Sequence, residues 1–178
     1  MNNKLKLLLL IFTLLLCAGC SAICRIDGPY GGRVIDAETK QPLEGVVVLG
    51  VWSKIYPNVA GSTHEFYDSV EILTDIYGEF KIAGQGLKVL SNLAEMNVVI
   101  YKAGYEMLGY GPWSGFKTRT GGKNIQWDGN KAIISLRKMS YEERKQRILG
   151  TPGIDRNREI KLIEEINKEE RELGKDPL

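Results

Sequence analysis

Short hydrophobic runs alternate with turn-forming residues through the central part of the chain, over residues 32–137. Runs of this length, rich in β-branched and aromatic residues and bounded by Gly, Pro, Asn or Asp, are typical of β-strands. They predict strands at Arg33–Asp36, Val46–Val51, Phe66–Thr74, Glu79–Ile82, Asn97–Tyr101, Tyr105–Tyr110 and Lys131–Arg137. The polar segment Lys54–Thr63 is predicted to be a loop. About seven short strands indicate a mainly β fold, an antiparallel sandwich.

Three segments have a helical pattern instead. Leucines within residues 84–95 are spaced for one or two helical turns. Ser140 is followed by Glu143 three residues later, a capping-box pattern that predicts a helix ending at Gly150. A longer helix is predicted over Asp155–Leu173. Its narrow apolar stripe consists of Ile160, Ile163 and Ile166.

Two of the predicted strands are apolar on both faces. Side chains alternate along a strand, so Val47, Leu49 and Val51 point away from the face that carries Val46 and Val48. The strand Asn97–Tyr101 has the same property. A strand of a sandwich buries one face in the core, so a further element must cover the other. We expect the carboxy-terminal helix to cover it through the isoleucine stripe.

The first residues carry the pattern of a secretory signal. Lys4 and Lys6 precede an unbroken apolar run over residues 7–16, which is shorter than the roughly 20 residues needed to span a bilayer. Ala18 and Gly19 before Cys20 resemble the lipobox of bacterial lipoproteins, although Cys17 stands where that motif usually has Leu. Residues 1–19 are therefore predicted to be a lipoprotein signal peptide. The alternative is an ordinary secreted protein cut near Ala22.

The lipobox resemblance implies that Cys20 receives a lipid and becomes the new amino terminus. Residues 20–31 are then a tether, and Ser21 is not the Asp that the resemblance links to inner-membrane retention. This implies an outer-membrane protein that faces the periplasm or the cell surface. With Cys17 removed and Cys20 alkylated, Cys24 is the remaining thiol, so no internal disulfide is expected.

The length and the net charge of the chain favour some classes of protein over others. A chain of 178 residues suits one domain with appendages. The net charge of +2 comes from Lys4 and Lys6, and the chain from Cys20 onward has equal numbers of basic and acidic residues. A nucleic-acid-binding protein normally has a clustered basic excess, so this class is not favoured.

The spacing of turn and core residues resembles that of the carboxypeptidase regulatory-like domain. The matching residues are Gly32, Val34, Asp36, Thr39, Pro42, Leu43, Gly45, Val46 and Val48, then Thr74, Asp75, Gly78 and Phe80, then Gly104 and Tyr105. The resemblance implies a seven-stranded, prealbumin-like β-sandwich over residues 32–138, with a helical extension over residues 139–178. It also implies no catalysis, because in the related peptidases the zinc ligands belong to a separate domain.

Few residues suggest an active site. His64 is the single histidine, and a zinc site needs three or four His, Cys or carboxylate ligands, so no metal and no cofactor are predicted. Ser114 lacks the glycines of a nucleophile elbow, and Gly84 with Gly86 lacks the third glycine of a dinucleotide loop. A carboxylate pair such as Asp68 and Glu71 leaves a hydrolase as a distant alternative.

The segment Gly109–Gly129 is the candidate for binding, because aromatic residues lie there among glycines and commonly anchor partners or sugars. The candidate contacts are Tyr110, Trp113, Phe116 and Trp127. The competing interpretation is that a tryptophan closes the end of the sandwich. The sequence thus predicts a non-enzymatic, lipid-anchored envelope protein whose sandwich contacts another envelope protein, with glycan or peptidoglycan binding by the aromatic segment as the alternative.

Overall fold

The computed structural model describes residues 24–115 and 124–178, and it is mainly β as predicted. Ten strands lie in these two ranges: β1 (Cys24–Asp27), β2 (Tyr30–Asp36), β3 (Val47–Asn58), β4 (Gly61–Leu73), β5 (Glu79–Ile82), β6 (Gly86–Val89), β7 (Asn97–Tyr101), β8 (Leu108–Pro112), β9 (Ile125–Asp128) and β10 (Lys131–Leu136). Two α-helices follow, α1 (Tyr141–Gln146) and α2 (Ile160–Glu172), with a short 3-10 helix at Arg156–Arg158 between them.

The strands form two four-stranded sheets and one separate pair. One sheet has the order β5-β2-β10-β9, the other has the order β4-β3-β7-β8, and β1 pairs with β6. The count of ten differs from the predicted seven, and the sandwich is not wholly antiparallel because β10 runs parallel to β2. β2 and β10 are distant in sequence, so the pattern of local turns does not predict their relative direction.

The core lies between the two four-stranded sheets. Alternate side chains of β2, β5 and β10 face those of β3 and β7, as the period of two requires. Its most buried members include Val34, Val46, Val48, Trp52, Phe80, Val98, Ile100, Ile134 and Leu136. Val46, Val48 and Phe80, which belong to the spacing pattern of turn and core residues, are therefore core residues.

Several residues of the spacing pattern hold turns in place. The Asp36 carboxylate accepts hydrogen bonds from the Glu38 and Thr39 amides and from the Tyr105 hydroxyl. Gly78 has a φ of 73°, and a Cβ there would lie 2.3 Å from the Val34 carbonyl oxygen. Only glycine fits this position without strain. Tyr105, another residue of the spacing pattern, is half-buried, and its hydroxyl donates to Asp36 at 3.0 Å.

The second apolar face of β3 and β7 is covered by α2, which confirms the expected docking. Val47, Leu49, Val51, Val99 and Tyr101 form a second cluster with Leu149, Leu162 and Ile166. The predicted isoleucine stripe is only partly right. Ile166 is buried, whereas Ile160 is 49% exposed and Leu162 is buried in its place.

The phase of α2 is set by a contact at its first turn. The Glu71 carboxylate of β4 accepts hydrogen bonds from the Lys161 and Leu162 amides, both at 2.9 Å. This carboxylate caps amides that have no partner within the helix. The anchored first turn directs Leu162 toward the sheet. The spacing of apolar residues alone does not predict this orientation.

Two predicted local structures are wrong. Residues 84–95 contain β6 and no helix, because Gly84 and Gly86 have positive φ values of 80° and 69° and β6 pairs with the distant β1. Lys54–Thr63 is not a loop but the outer part of a long β3–β4 hairpin, with Asn58 paired with Gly61 at its tip. The predicted tether is also shorter than expected, since β1 begins at Cys24.

Candidate functional site

Of the four aromatic residues predicted to contact a ligand, three lie in the described part of the chain. Tyr110 is on β8 and is 48% exposed, with its hydroxyl accepting a hydrogen bond from Asn97 Nδ2 at 3.2 Å. Trp113 follows β8 and is only 7% exposed. Trp127 is half-buried on β9, in the opposite sheet. Phe116 lies outside the described residues.

Trp113 is the centre of an aromatic cluster. Its ring meets those of Tyr30, Phe80 and Trp127 at centroid distances of 5.8, 6.0 and 5.5 Å, in each case edge to face. Aromatic pairs prefer this arrangement, and it joins the two sheets at one end of the sandwich. Trp113 therefore packs in the core, and it can present only a small part of its surface to a ligand.

A cavity of about 350 Å³ opens beside this cluster. We call it the aromatic cavity, and its side chains combine rings with charged and amide groups. They include Arg25, Asp27, Tyr30, Glu95, Trp113, Trp127 and Asn130. Flat rings beside a few polar groups are the combination that binds small polar ligands.

The two carboxylates of the aromatic cavity already have structural partners. Asp27 is buried and accepts hydrogen bonds from the Tyr30 hydroxyl at 2.7 Å, Trp52 Nε1 at 2.8 Å and the Gln85 amide at 2.9 Å. Glu95 accepts from the amide and the hydroxyl of Ser114. Burial, reinforced by the Asp27 carboxylate, raises the pKa of Tyr30, so this hydroxyl stays a donor. These hydrogen bonds fix the positions of the side chains that line the aromatic cavity, which is a structural role and not that of a catalytic acid or base.

The residues considered for hydrolysis or metal binding are dispersed. Asp68 accepts from Gln85 Nε2 at 3.1 Å and lies 3.5 Å from Arg158, while Glu71 caps α2. His64 is exposed on β4 opposite Ile55. Among residues 24–115 and 124–178, no three His, Cys, Asp or Glu side chains are grouped so that they could hold a metal ion.

A second candidate surface was missed by the sequence reasoning. Beyond the sandwich, residues 54–67 of β3 and β4 continue as a two-stranded arm, which we call the β3–β4 arm. Its side chains are mostly exposed, and four large apolar or aromatic ones are among them: Tyr56, Val59, Phe66 and Tyr67. The signal that could have revealed it is the pair Asn58 and Gly61, which flanks a two-residue turn of the kind that joins strands.

The base of the β3–β4 arm is tied to the β1–β6 pair. Arg25 Nη2 donates to the Leu93 and Ala94 carbonyls, and the Ala94 amide donates to the Ser53 carbonyl at 2.7 Å. The Asp27 hydrogen bond to Trp52 makes a second connection. The arm, the β1–β6 pair and the aromatic cavity therefore lie at the same end of the sandwich.

No protein-family model, curated protein or solved structure matches the chain. Cys20, the predicted lipid attachment residue, precedes the described ranges. Within those ranges, none of the helices has both the length and the apolar character needed to cross a membrane.

Proposed function

We propose that this protein is a lipid-anchored cell-envelope protein whose sandwich is a non-catalytic module for contact with another envelope protein. The anchor is Cys20, supported by the signal-like amino terminus and the small residues before the cysteine. We also propose that the sandwich is of the prealbumin-like type found in the carboxypeptidase regulatory-like domain. In support, three residues of the spacing pattern, Asp36, Gly78 and Tyr105, form turns or hydrogen bonds within the sandwich.

The observation that carries the interaction role is the β3–β4 arm. Tyr56, Phe66 and Tyr67 are each about 40% exposed, although aromatic rings favour burial. Aromatic residues are the side chains that most often dominate protein interfaces. In addition, β4 lies at the edge of its sheet, and an edge strand offers backbone groups to which a partner can add a strand.

Site-specific photocrosslinking in the native membrane tests this role. A photoreactive residue at Tyr56 or Phe66 should give one discrete crosslinked protein. The matched control is Tyr141 on α1, which is 51% exposed but lies outside the arm. The substitution Tyr67→Ser, on the same face of the arm as Tyr56, should remove the product formed at Tyr56. Equal crosslinking at Tyr56 and Tyr141 would show that the arm is not a specific contact.

Mass spectrometry of the mature amino terminus tests the anchor separately. A diacylglyceryl-modified cysteine at position 20 is expected. A mature chain that begins near Ala22 without lipid would contradict the anchor and support the ordinary secreted form.

A second candidate function is glycan or peptidoglycan binding, and the aromatic cavity is the observation that favours it. Trp127 and Asn130 are the better test residues, because Trp113 is needed for packing. Titration of the mature protein with peptidoglycan fragments should show binding that Trp127→Ala or Asn130→Ala weakens and Tyr110→Ala leaves unchanged. Absence of binding by the wild-type protein would exclude these fragments as ligands.

A further inference from the structure

The pair β1–β6 has one face that is entirely apolar and exposed. Directly paired residues of antiparallel strands lie on the same face, and Cys24 pairs with Val89 while Ile26 pairs with Leu87. Ile26, Leu87 and Val89 are 75%, 65% and 56% exposed, and the adjacent Leu90 is 81% exposed. We call this surface, made of Cys24, Ile26, Leu87 and Val89, the ribbon face, and Leu90 directly follows it in the chain.

The opposite face of the same pair is engaged with the protein. Asp27 is buried against Tyr30 and Trp52, and Arg25 binds the Leu93 and Ala94 carbonyls. Lys88, which pairs with Arg25, is half-buried. The polar side chains thus turn toward the sandwich and the apolar ones turn outward, which is the reverse of the usual arrangement for a strand pair on a protein surface.

Leu90 is unusual in a second respect. Its φ of 48° lies in the left-handed region, where Gly and Asn are accommodated better than Leu. A leucine here carries both backbone strain and an exposed apolar side chain. The exposed apolar side chain is unfavourable in water, so the position fits a surface that faces an apolar environment.

The position of the ribbon face in the chain identifies that environment. Cys24 is four residues after Cys20, and four extended residues span at most roughly 14 Å. If Cys20 holds acyl chains in a bilayer, β1 begins within this distance of the anchor. An apolar surface held so close to the membrane can enter the boundary between headgroups and acyl chains, which amphipathic segments occupy to a depth of about 5–10 Å.

We propose that the ribbon face, with Leu90 beside it, is a second membrane contact, which inserts Ile26, Leu87, Val89 and Leu90 into the surface of the bilayer that holds the Cys20 lipid. This inference rests on the lipid anchor of the proposed function. The lipid limits how far the chain can move from the membrane, and the ribbon face sets its orientation. Since the β3–β4 arm is tied to the same end of the sandwich, the contact would place that arm close to the membrane surface.

Fluorescence quenching in vesicles tests the contact. The mature lipoprotein, with Cys24→Ser, is reconstituted into vesicles of phosphatidylethanolamine and phosphatidylglycerol that contain nitroxide-labelled lipid. An environment-sensitive fluorophore is attached at Leu87→Cys or, as the matched control, at Lys88→Cys, the next residue on the opposite face. We expect quenching by the nitroxide-labelled lipid together with a blue shift at position 87, and no quenching by that lipid at position 88.

A second variant separates membrane contact from folding. Leu90→Asn, combined with Ile26→Ser, places polar groups on the ribbon face and beside it, and it relieves the backbone strain at position 90. Quenching at position 87 should be lost, while the unfolding midpoint in detergent should be unchanged or higher. Retained quenching would overturn the proposal.

Three other outcomes of these experiments would each contradict the membrane contact. Equal signals at positions 87 and 88 in a protein with lipidated Cys20 would overturn the ribbon contact and leave the anchor intact. Protection of position 87 from aqueous quencher without quenching by lipid would assign the ribbon face to a protein partner or a second copy. If mass spectrometry of the purified protein shows a mature chain that begins near Ala22, or one in which Cys20 has no lipid, the anchor itself fails, and the ribbon proposal fails with it.

Discussion

At the scale of single residues, the Asp27 carboxylate joins three parts of the chain. It accepts hydrogen bonds from Tyr30 on β2, Trp52 on β3 and Gln85 before β6, although it is itself on β1. Buried polar groups are costly unless their partners are present, so each of these donors depends on the carboxylate. Asp27 therefore fixes the β1–β6 pair to the sandwich.

Replacing Asp27 with Ala should lower the free energy of unfolding by about 3 kcal/mol, because buried donors are left without their acceptor. Urea unfolding followed by tryptophan fluorescence measures the change. Asp176→Ala at the exposed carboxy terminus is the control and should change the stability by less than about 0.5 kcal/mol. Similar effects of the two substitutions would refute the structural role of Asp27.

Substitutions of Trp113 and Tyr110 should change the free energy of unfolding by different amounts, because the first ring is buried and the second is half-exposed. Trp113→Ala removes a buried ring with three aromatic neighbours and should cost about 3–5 kcal/mol of stability. Tyr110→Ala removes a half-exposed ring and should cost less than about 1 kcal/mol. Thermal unfolding of both variants checks this, and a small effect of Trp113→Ala would contradict the core assignment.

At the scale of elements, the docking of α2 is decided by a few side chains. Leu162 and Ile166 are fully buried against β3 and β7, and the carboxylate of Glu169 is buried beside them. It accepts hydrogen bonds from the Tyr101 hydroxyl at 2.9 Å and the Gly104 amide at 2.6 Å, and it forms ion pairs with Arg144 and Arg147. The helix thus combines apolar contacts with a buried carboxylate that two arginines neutralise.

Leu162→Ala should destabilise the protein by about 2–5 kcal/mol, the range for deletion of a buried leucine side chain. Ile160→Ala on the same helix turn should cost below about 1 kcal/mol, because that side chain is 49% exposed. The two variants differ little in helix propensity, so the comparison isolates burial. If Ile160→Ala had the larger effect, the helix would dock in the phase that the isoleucine stripe suggested.

The Glu169 carboxylate should make stability depend on pH in the acid range. Burial opposes its ionisation, but hydrogen bonds from the Gly104 amide, Arg147 and Tyr101 outweigh burial and lower its pKa. Because the folded pKa is below the unfolded value of about 4.3, this stabilisation is complete above about pH 4.3 and is lost as pH falls through the folded pKa.

Glu169→Gln should therefore reduce stability at neutral pH by about 3 kcal/mol, and the difference from the wild type should shrink below about pH 4. Urea unfolding at a series of pH values measures both effects. A difference that stays constant down to the acid limit would mean that ionisation of Glu169 does not stabilise the fold.

At the scale of the whole molecule, the carboxy-terminal extension is part of the folded unit. Apolar side chains of β3 and β7 are shared between the sandwich core on one side and α2 on the other. Strands with two buried faces cannot lose one cover without exposing apolar surface to water. The extension and the sandwich should therefore not unfold independently.

We predict a single unfolding transition for the extension and the sandwich. Trp52 and Trp113 report the sandwich core by fluorescence, and circular dichroism at the helical band reports α1 and α2. The two signals should follow the same urea curve. An earlier loss of the helical signal would show that α2 is only loosely attached.

The sequence by itself determined the mainly β character and the presence of strands with two apolar faces. These features follow from alternation and from backbone preferences that act over a few residues. It also indicated that a helix must cover the second face.

Only the tertiary structure decided which side chains carry that contact and where the predicted site residues lie. Leu162 replaces Ile160 because the Glu71 carboxylate, 91 residues away, anchors the first turn of α2. Residues 86–89 become a strand because β1 pairs with them, and Trp113 becomes a core residue because three rings from other strands surround it. Each outcome depends on a partner that is remote in sequence, and local periodicity contains no information about such partners.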